Sequence, residues 1–144
     1  MYMQIGREKN RDMLVTEENY VDIAENVILQ LKKEKQKNGK ELGLLTMSQI
    51  RNMLSMCADI YNQIVSQTNT RDNDLNDEIR ERINYLKIRF VYEAGRDKKV
   101  NAFVKNAYIL ENLKEIRGSK QKFLLFHQYM EALVAFHRFY GGQE

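Results

Sequence analysis

The stretch "KQKFLLFHQYMEALVAFHRFY", Lys120 to Tyr140, decides the fold class. A helix of ~20 residues rises about 30 Å, enough to run the length of a small domain. Here Phe123, Leu124, Phe126, Met130, Leu133, Val134 and Phe136 leave almost no polar face. A helix apolar nearly all round belongs at the centre of a bundle, or exposes a face to a partner. Ser119 suits its N-cap and Gly141-Gly142 its end. The rest of the chain must then supply the helices that surround it.

It does so. Tyr20, Ile23, Ala24, Val27, Ile28 and Leu31 recur at helical spacing within Glu17–Lys37. "TMSQ" at Thr46–Gln49 is a capping box. It opens a helix whose stripe is Ile50, Met53, Leu54, Cys57, Ile60, Tyr61 and Ile64. A third helix spans about Leu75–Ala94 and ends at Gly95, and a fourth runs from Val100 to Ile116. Between helices two and three, "SQTNTRDNDLND" is the clearest loop, and "KKEKQKNGKE" reads as another. There is no Pro and no convincing strand. The expectation is an all-α, single-domain bundle of about five helices over residues 16–144, with residues 1–15 a flexible N-terminal extension.

The 144 residues fit one core without disulfides or metal. Cys57, the single Cys, falls inside an apolar stripe and reads as core. No apolar run reaches a membrane span, and the N-terminus lacks a signal-peptide pattern, so a cytoplasmic protein is expected. Nothing resembles a P-loop, a dinucleotide loop, HExxH or GxSxG. His127 and His137 are ten apart, almost three turns, too far to share a metal. They read as half-buried edges of the last helix whose ring N–H groups find partners. No catalytic residue, metal site or cofactor is expected.

The net charge of +3 is small, but its distribution is uneven. Residues 85–122 carry 10 Lys/Arg against 4 Asp/Glu, while residues 1–84 carry 12 against 14. The basic excess begins at "YLKIRFVYEAGRDKKV", Tyr85 to Val100, which otherwise reads as a buried helix. On the same helix, Arg82 just before this stretch and Arg89 and Arg96 within it are spaced by seven, so the first two lie nearly in line. Arg96 extends the line only if the helix continues past Gly95. Tyr85 and Tyr92 lie about 60° to one side, and the core face Ile79, Ile83, Leu86, Phe90 and Ala94 on the other. Lys87 sits on the core side, its stem over apolar neighbours and its ammonium in solvent. Two readings stand. The arginines track a phosphate backbone with tyrosines beside them, or Glu78–Arg82 and Arg89–Glu93 pair as a salt-bridged solvent face.

Three blocks together resemble a known family. They are "LTMSQIRNMLSMCADIYNQI" (Leu45–Ile64), "ERINYLKIRFVYEAGR" (Glu81–Arg96) with "VNAFVKNAYIL" after it, and "FLLFHQYMEALVAFHRFYGG" (Phe123–Gly142). They resemble the small subunit of the type III-A CRISPR–Cas effector, the Csm complex, in order from about Tyr20 onward. Residues 1–15 and the loop Lys35–Gly43 match nothing in it.

The resemblance implies a non-enzymatic helical protein whose copies stack as an inner filament. Its partners would be the backbone subunits, the large polymerase/nuclease subunit, neighbouring copies of itself, and guide and target RNA. Arg51, Arg89, Arg96 and Lys105 match basic positions of the family. Lys120 and Lys122 precede the last block at a helix N-terminus, which favours phosphate. With Arg82 these make the RNA-binding set expected from charge and geometry. The alternative is a stand-alone DNA-binding regulator reading bases from "TMSQIRNML" through Arg51. Against it, no short companion helix precedes Thr46 at the usual turn.

Overall fold

The computed structural model describes residues 13–67 and 72–141. Most of the expected flexible extension, residues 1–12, lies outside the described residues, as do residues 68–71 of the long loop and 142–144. Six helices form among the described residues: α1 Tyr20–Lys33, α2 Met47–Ser66, α3 Asp77–Arg96, α4 Lys98–Asn106, α5 Ile109–Lys114 and α6 Lys120–Phe139. No sheet forms among the described residues. Two isolated bridges, Lys35–Glu41 and Asp74–Ser119, are the extended pairings. The protein is an all-α bundle.

The central helix is α6, packed mainly against α1 and α2. Phe123, Phe126, Tyr129, Met130 and Leu133 are buried along it. The other helices close around this spine: α3 lies on α2 and α4, α4 on α1, and α5 joins α3, α4 and α6. Phe90 of α3 meets Phe126 edge-on, with ring centroids 6.5 Å apart, an arrangement aromatic pairs favour. Met13 and Val15 pack against the same core. Asn112 receives the Val15 N–H at 2.9 Å and donates to the Met13 carbonyl at 3.3 Å.

Local chemistry sets the helix ends. The capping box at Thr46 forms reciprocally: Gln49 N–H donates to Thr46 Oγ1 at 3.1 Å, and Thr46 N–H to Gln49 Oε1 at 2.8 Å. α1 stops at Lys33 rather than Lys37. The chain turns there into a small hairpin, with Leu42 N–H bonded to the Glu34 carbonyl and Gly39 at φ 84 in its tip.

Gly95 does not end α3. The helix runs on to Arg96, and Asp97 then caps α4 by accepting from Lys99 N–H (2.8 Å) and Val100 N–H (3.1 Å). Gln49 holds the other carboxylate oxygen of Asp97 at 3.0 Å.

The expected fourth helix is two. Tyr108 adopts φ 51 between α4 and α5. Side chains tie the break down: Tyr129 Oη donates to the Ala107 carbonyl at 2.9 Å, and Asn112 Nδ2 adds a bond at 2.9 Å to the Tyr108 carbonyl, which also accepts the Asn112 N–H.

The two histidines differ from expectation and from each other. His137 is fully buried. Its Nε2–H donates to the Leu45 carbonyl at 2.6 Å. His127 is buried too, stacked on Tyr61 with centroids 4.3 Å apart. Glu131 Oε1 lies 3.3 Å from its Nδ1, yet neither ring nitrogen has a hydrogen-bond partner among the described residues. Cys57 is core, and burial pushes its thiol far above the usual range.

Candidate nucleic-acid interface

α3 buries Ile79, Ile83, Leu86 and Phe90 along one side, and Asn76 fixes its start by accepting the Ile79 N–H at 2.9 Å. The opposite side is not the buried surface that the apolar run predicts. Tyr85, Ile88 and Tyr92 are 58, 61 and 61% exposed, and Val91 is 50% exposed. Spacings of three and four residues put Tyr85, Ile88 and Tyr92 on one outward stripe. Exposed apolar stripes of this kind are typical of contact surfaces.

Arg82, Arg89 and Arg96 run along one edge of this stripe, now on a single helix because α3 continues through Gly95. Arg82 and Arg89 are half-buried and face a groove of about 380 Å³ between α2 and α3. Arg82 donates to Gln63 Oε1, while Gln63 Nε2 donates to Glu78 Oε1 at 3.3 Å. The Glu78–Arg82 and Arg89–Glu93 pairs expected of a salt-bridged face are not among the ion pairs of the described residues. Glu93 instead sits 3.8 Å from Arg96, whose guanidinium lies 5.6 Å from the Tyr92 ring centroid. Asp59, Glu78 and Glu81 share the groove with Arg82 and Arg89, so its field is mixed.

The remaining sequence-predicted positions are dispersed. Arg51 is exposed in the first turns of α2. Lys105 is exposed on α4 and lines a separate groove of about 660 Å³ against α1, with Lys98, Asn26 and Gln30. Lys120 and Lys122 are at the start of α6, but the backbone amides that make a helix N-terminus attractive to phosphate are already taken there. Lys120 N–H donates to the Asn73 carbonyl (2.8 Å), Gln121 N–H to Asn73 Oδ1 (3.0 Å) and Lys122 N–H to Ser119 Oγ (3.3 Å). Their side chains are all they can offer a ligand.

A second basic group escaped the sequence reading. Arg80, Asn84 and Lys87 of α3, with Lys114 and Arg117 beyond the α4–α5 break, line a groove of about 340 Å³. The i, i+7 spacing of Arg80 and Lys87 was a usable signal. The partners across the groove were not legible while α4 and α5 read as one helix. Lys87 does keep its head in solvent, but over this basic groove. Among the described residues, no three His, Cys, Asp or Glu side chains are grouped to hold a metal, and no helix is long and apolar enough to cross a membrane.

Comparison with known proteins settles the family. The Csm2 type III-A family model matches residues 25–143. The chain belongs to the Csm2 family of type III-A CRISPR systems. It is 43% identical over 131 residues to a CRISPR system Cms protein Csm2 of Streptococcus thermophilus, covering 91% of this chain and 98% of that protein. It is 39% identical over 127 residues to the protein of the same name from Mycobacterium tuberculosis, covering 88% and 95%. An Enterococcus italicus relative is 29% identical over 145 residues, covering 96% and 97%. This is the small-subunit family to which the three sequence blocks point, and membership makes the chain a small subunit of a type III-A Csm complex.

Proposed function

We propose that the chain is a non-catalytic subunit of the inner filament of a type III-A CRISPR interference complex, working in the cytoplasm. It contacts the backbone of the target RNA or the guide–target duplex through basic side chains. Neighbouring copies, the backbone subunits and the large polymerase/nuclease subunit surround it, and catalysis belongs to other subunits.

The observation that carries this reading is the outward face of α3. Three arginines at heptad spacing border two exposed tyrosines on a helix anchored by its opposite side. Guanidinium groups suit phosphate, and exposed aromatic rings suit bases and sugars of RNA. Because guide pairing reads sequence, a protein here needs only backbone shape. Ile88 and Val91 give the same face an apolar part, suited to a neighbouring subunit. Arg51, Lys105 and Lys122 are assigned supplementary contacts by their charge and exposure, and the half-buried Lys120 by its charge.

The test is target RNA binding by the assembled complex carrying Arg89→Glu and Arg96→Glu. The helical fold should survive, since Arg96 is exposed and Arg89 only half-buried. Affinity should fall, and the slope of log affinity against log salt should shrink by roughly 1–2. Unchanged affinity across the titration would overturn the assignment.

A further inference from the structure

The groove of Arg80, Lys87, Lys114 and Arg117 differs from the α2–α3 groove in three ways. At about 100° per residue, Arg80 and Lys87 lie ~160° around α3 from Arg82 and Arg89. The two basic sets therefore face away from each other. Among the described residues no carboxylate lines the second groove, whereas Asp59, Glu78 and Glu81 line the first. Among the described residues no aromatic ring lines it either; Ile83, Leu113 and Gly118 are its apolar floor.

Arg80 is held in place. Arg80 Nε donates to the Leu75 carbonyl at 2.8 Å. Its guanidinium occupies the space beside Gly118, where an added Cβ would collide with it. Gly118 is at φ 76 and Arg117 at φ 45, a left-handed pair that turns the chain sharply between α5 and α6. Arg117 has one carboxylate in range among the described residues, Glu115 Oε1 at 3.6 Å, in an exposed contact. Lys87 and Lys114 are exposed and make no ion pair among the described residues. Like charges converging on one groove repel one another, and an anion relieves that repulsion.

We infer that this groove is a second RNA-backbone site, so that one copy of the chain holds phosphates on two opposite sides of α3. The inference rests on the reading of the chain as an RNA-contacting subunit. Arg80 and Lys87 are two turns apart, ~10 Å along the helix, and the second wall supplies Lys114 and Arg117. That spread suits a linear polyanion better than a single phosphate. With no ring to stack on, the groove takes the phosphodiester backbone alone, whereas the tyrosine face can also meet bases.

The test uses the assembled complex, a target RNA and a salt titration. Lys87→Glu with Lys114→Glu removes two groove cations without touching Arg80 or the turn at Gly118. Arg89→Glu with Arg96→Glu probes the tyrosine face. Lys33→Glu with Lys37→Glu, all exposed positions, makes the same change in net charge elsewhere. The groove variant should bind target RNA about 10-fold more weakly, with a salt slope smaller by roughly 1–2. The variant carrying all four groove and face changes should show the product of the two losses. If the groove variant binds like the parent while the face variant weakens, the second site is wrong and the first stands. If only the groove variant weakens, the groove stands and the face assignment falls. A loss of the same size in the Lys33/Lys37 control overturns the groove, because total charge then suffices. Unchanged RNA affinity with loss of another subunit from the complex also overturns it, in favour of an acidic protein surface.

Discussion

Tyr129 makes the break between α4 and α5 tolerable, and Tyr129→Phe measures how much. The side chain is fully buried at the centre of α6, and its hydroxyl donates to the Ala107 carbonyl at 2.9 Å. Burial pushes the phenol far above its ordinary range, so it remains a donor at any working pH. Removing the hydroxyl leaves a buried carbonyl without this partner. An unsatisfied buried polar group costs about 1–3 kcal/mol. For a domain of this size that lowers Tm by roughly 3–10 °C. Tyr140→Phe is the matched control. Its hydroxyl donates to Glu25 Oε2 at 2.6 Å, but the pair lies near the surface, where the loss should be within about 1 kcal/mol. Urea unfolding of the purified protein should show a lower midpoint at unchanged m for Tyr129→Phe. Equal midpoints for Tyr129→Phe and the parent would refute the claim that this bond holds the break.

Two further substitutions test other joints of the fold. Asp97→Ala removes the cap of α4 and the link to Gln49, and should cost about 1–2 kcal/mol in urea unfolding, while Asp97→Asn should lose much less. A loss as large for Asn as for Ala would show that charge, not capping, matters there. Burial holds the His127 imidazole below its ordinary 6.5, and the nearby Glu131 opposes that without cancelling it. The unfolded chain therefore binds a proton near that value that the folded protein refuses, so stability falls as pH drops below about 6.5. His127→Phe preserves a ring over Tyr61 and removes the proton. Its unfolding midpoint should fall less between pH 7 and pH 5 than the parent's, and parallel profiles would contradict the reading.

The bundle was legible because α6 is apolar around most of its surface and the flanking stripes have helical period. The capping box at Thr46 and the cap at Ser119 were readable from local chemistry alone. What misled was local chemistry that tertiary contacts override. Gly95 reads as a helix end, yet nothing at that position requires a left-handed turn, and Asp97 makes the true boundary. Val100 to Ile116 has one continuous apolar pattern, but side chains distant in sequence or on the next helix, Tyr129 above all, hold the broken backbone. The same limit applies to the interface. Arg82, Arg89 and Arg96 could be aligned by counting residues. The same count set Tyr85 and Tyr92 beside them, away from the core face. That Ile88 and Val91 are exposed was not legible, because an apolar run looks the same whether it meets the core or a partner. The groove at Arg80 and Lys87 was half legible, and its other wall depends on the turn at Arg117 and Gly118.

The central claim is that the outward face of α3 lies against RNA. Ultraviolet cross-linking of target RNA in the assembled complex, followed by mapping of the linked peptides of this subunit, tests it most directly. The account expects cross-links at Tyr85 and Tyr92, the two exposed rings beside Arg89 and Arg96, lost when the target strand is omitted. Cross-links confined to other helices of this subunit, with the segment from Tyr85 to Arg96 unmodified, would contradict it.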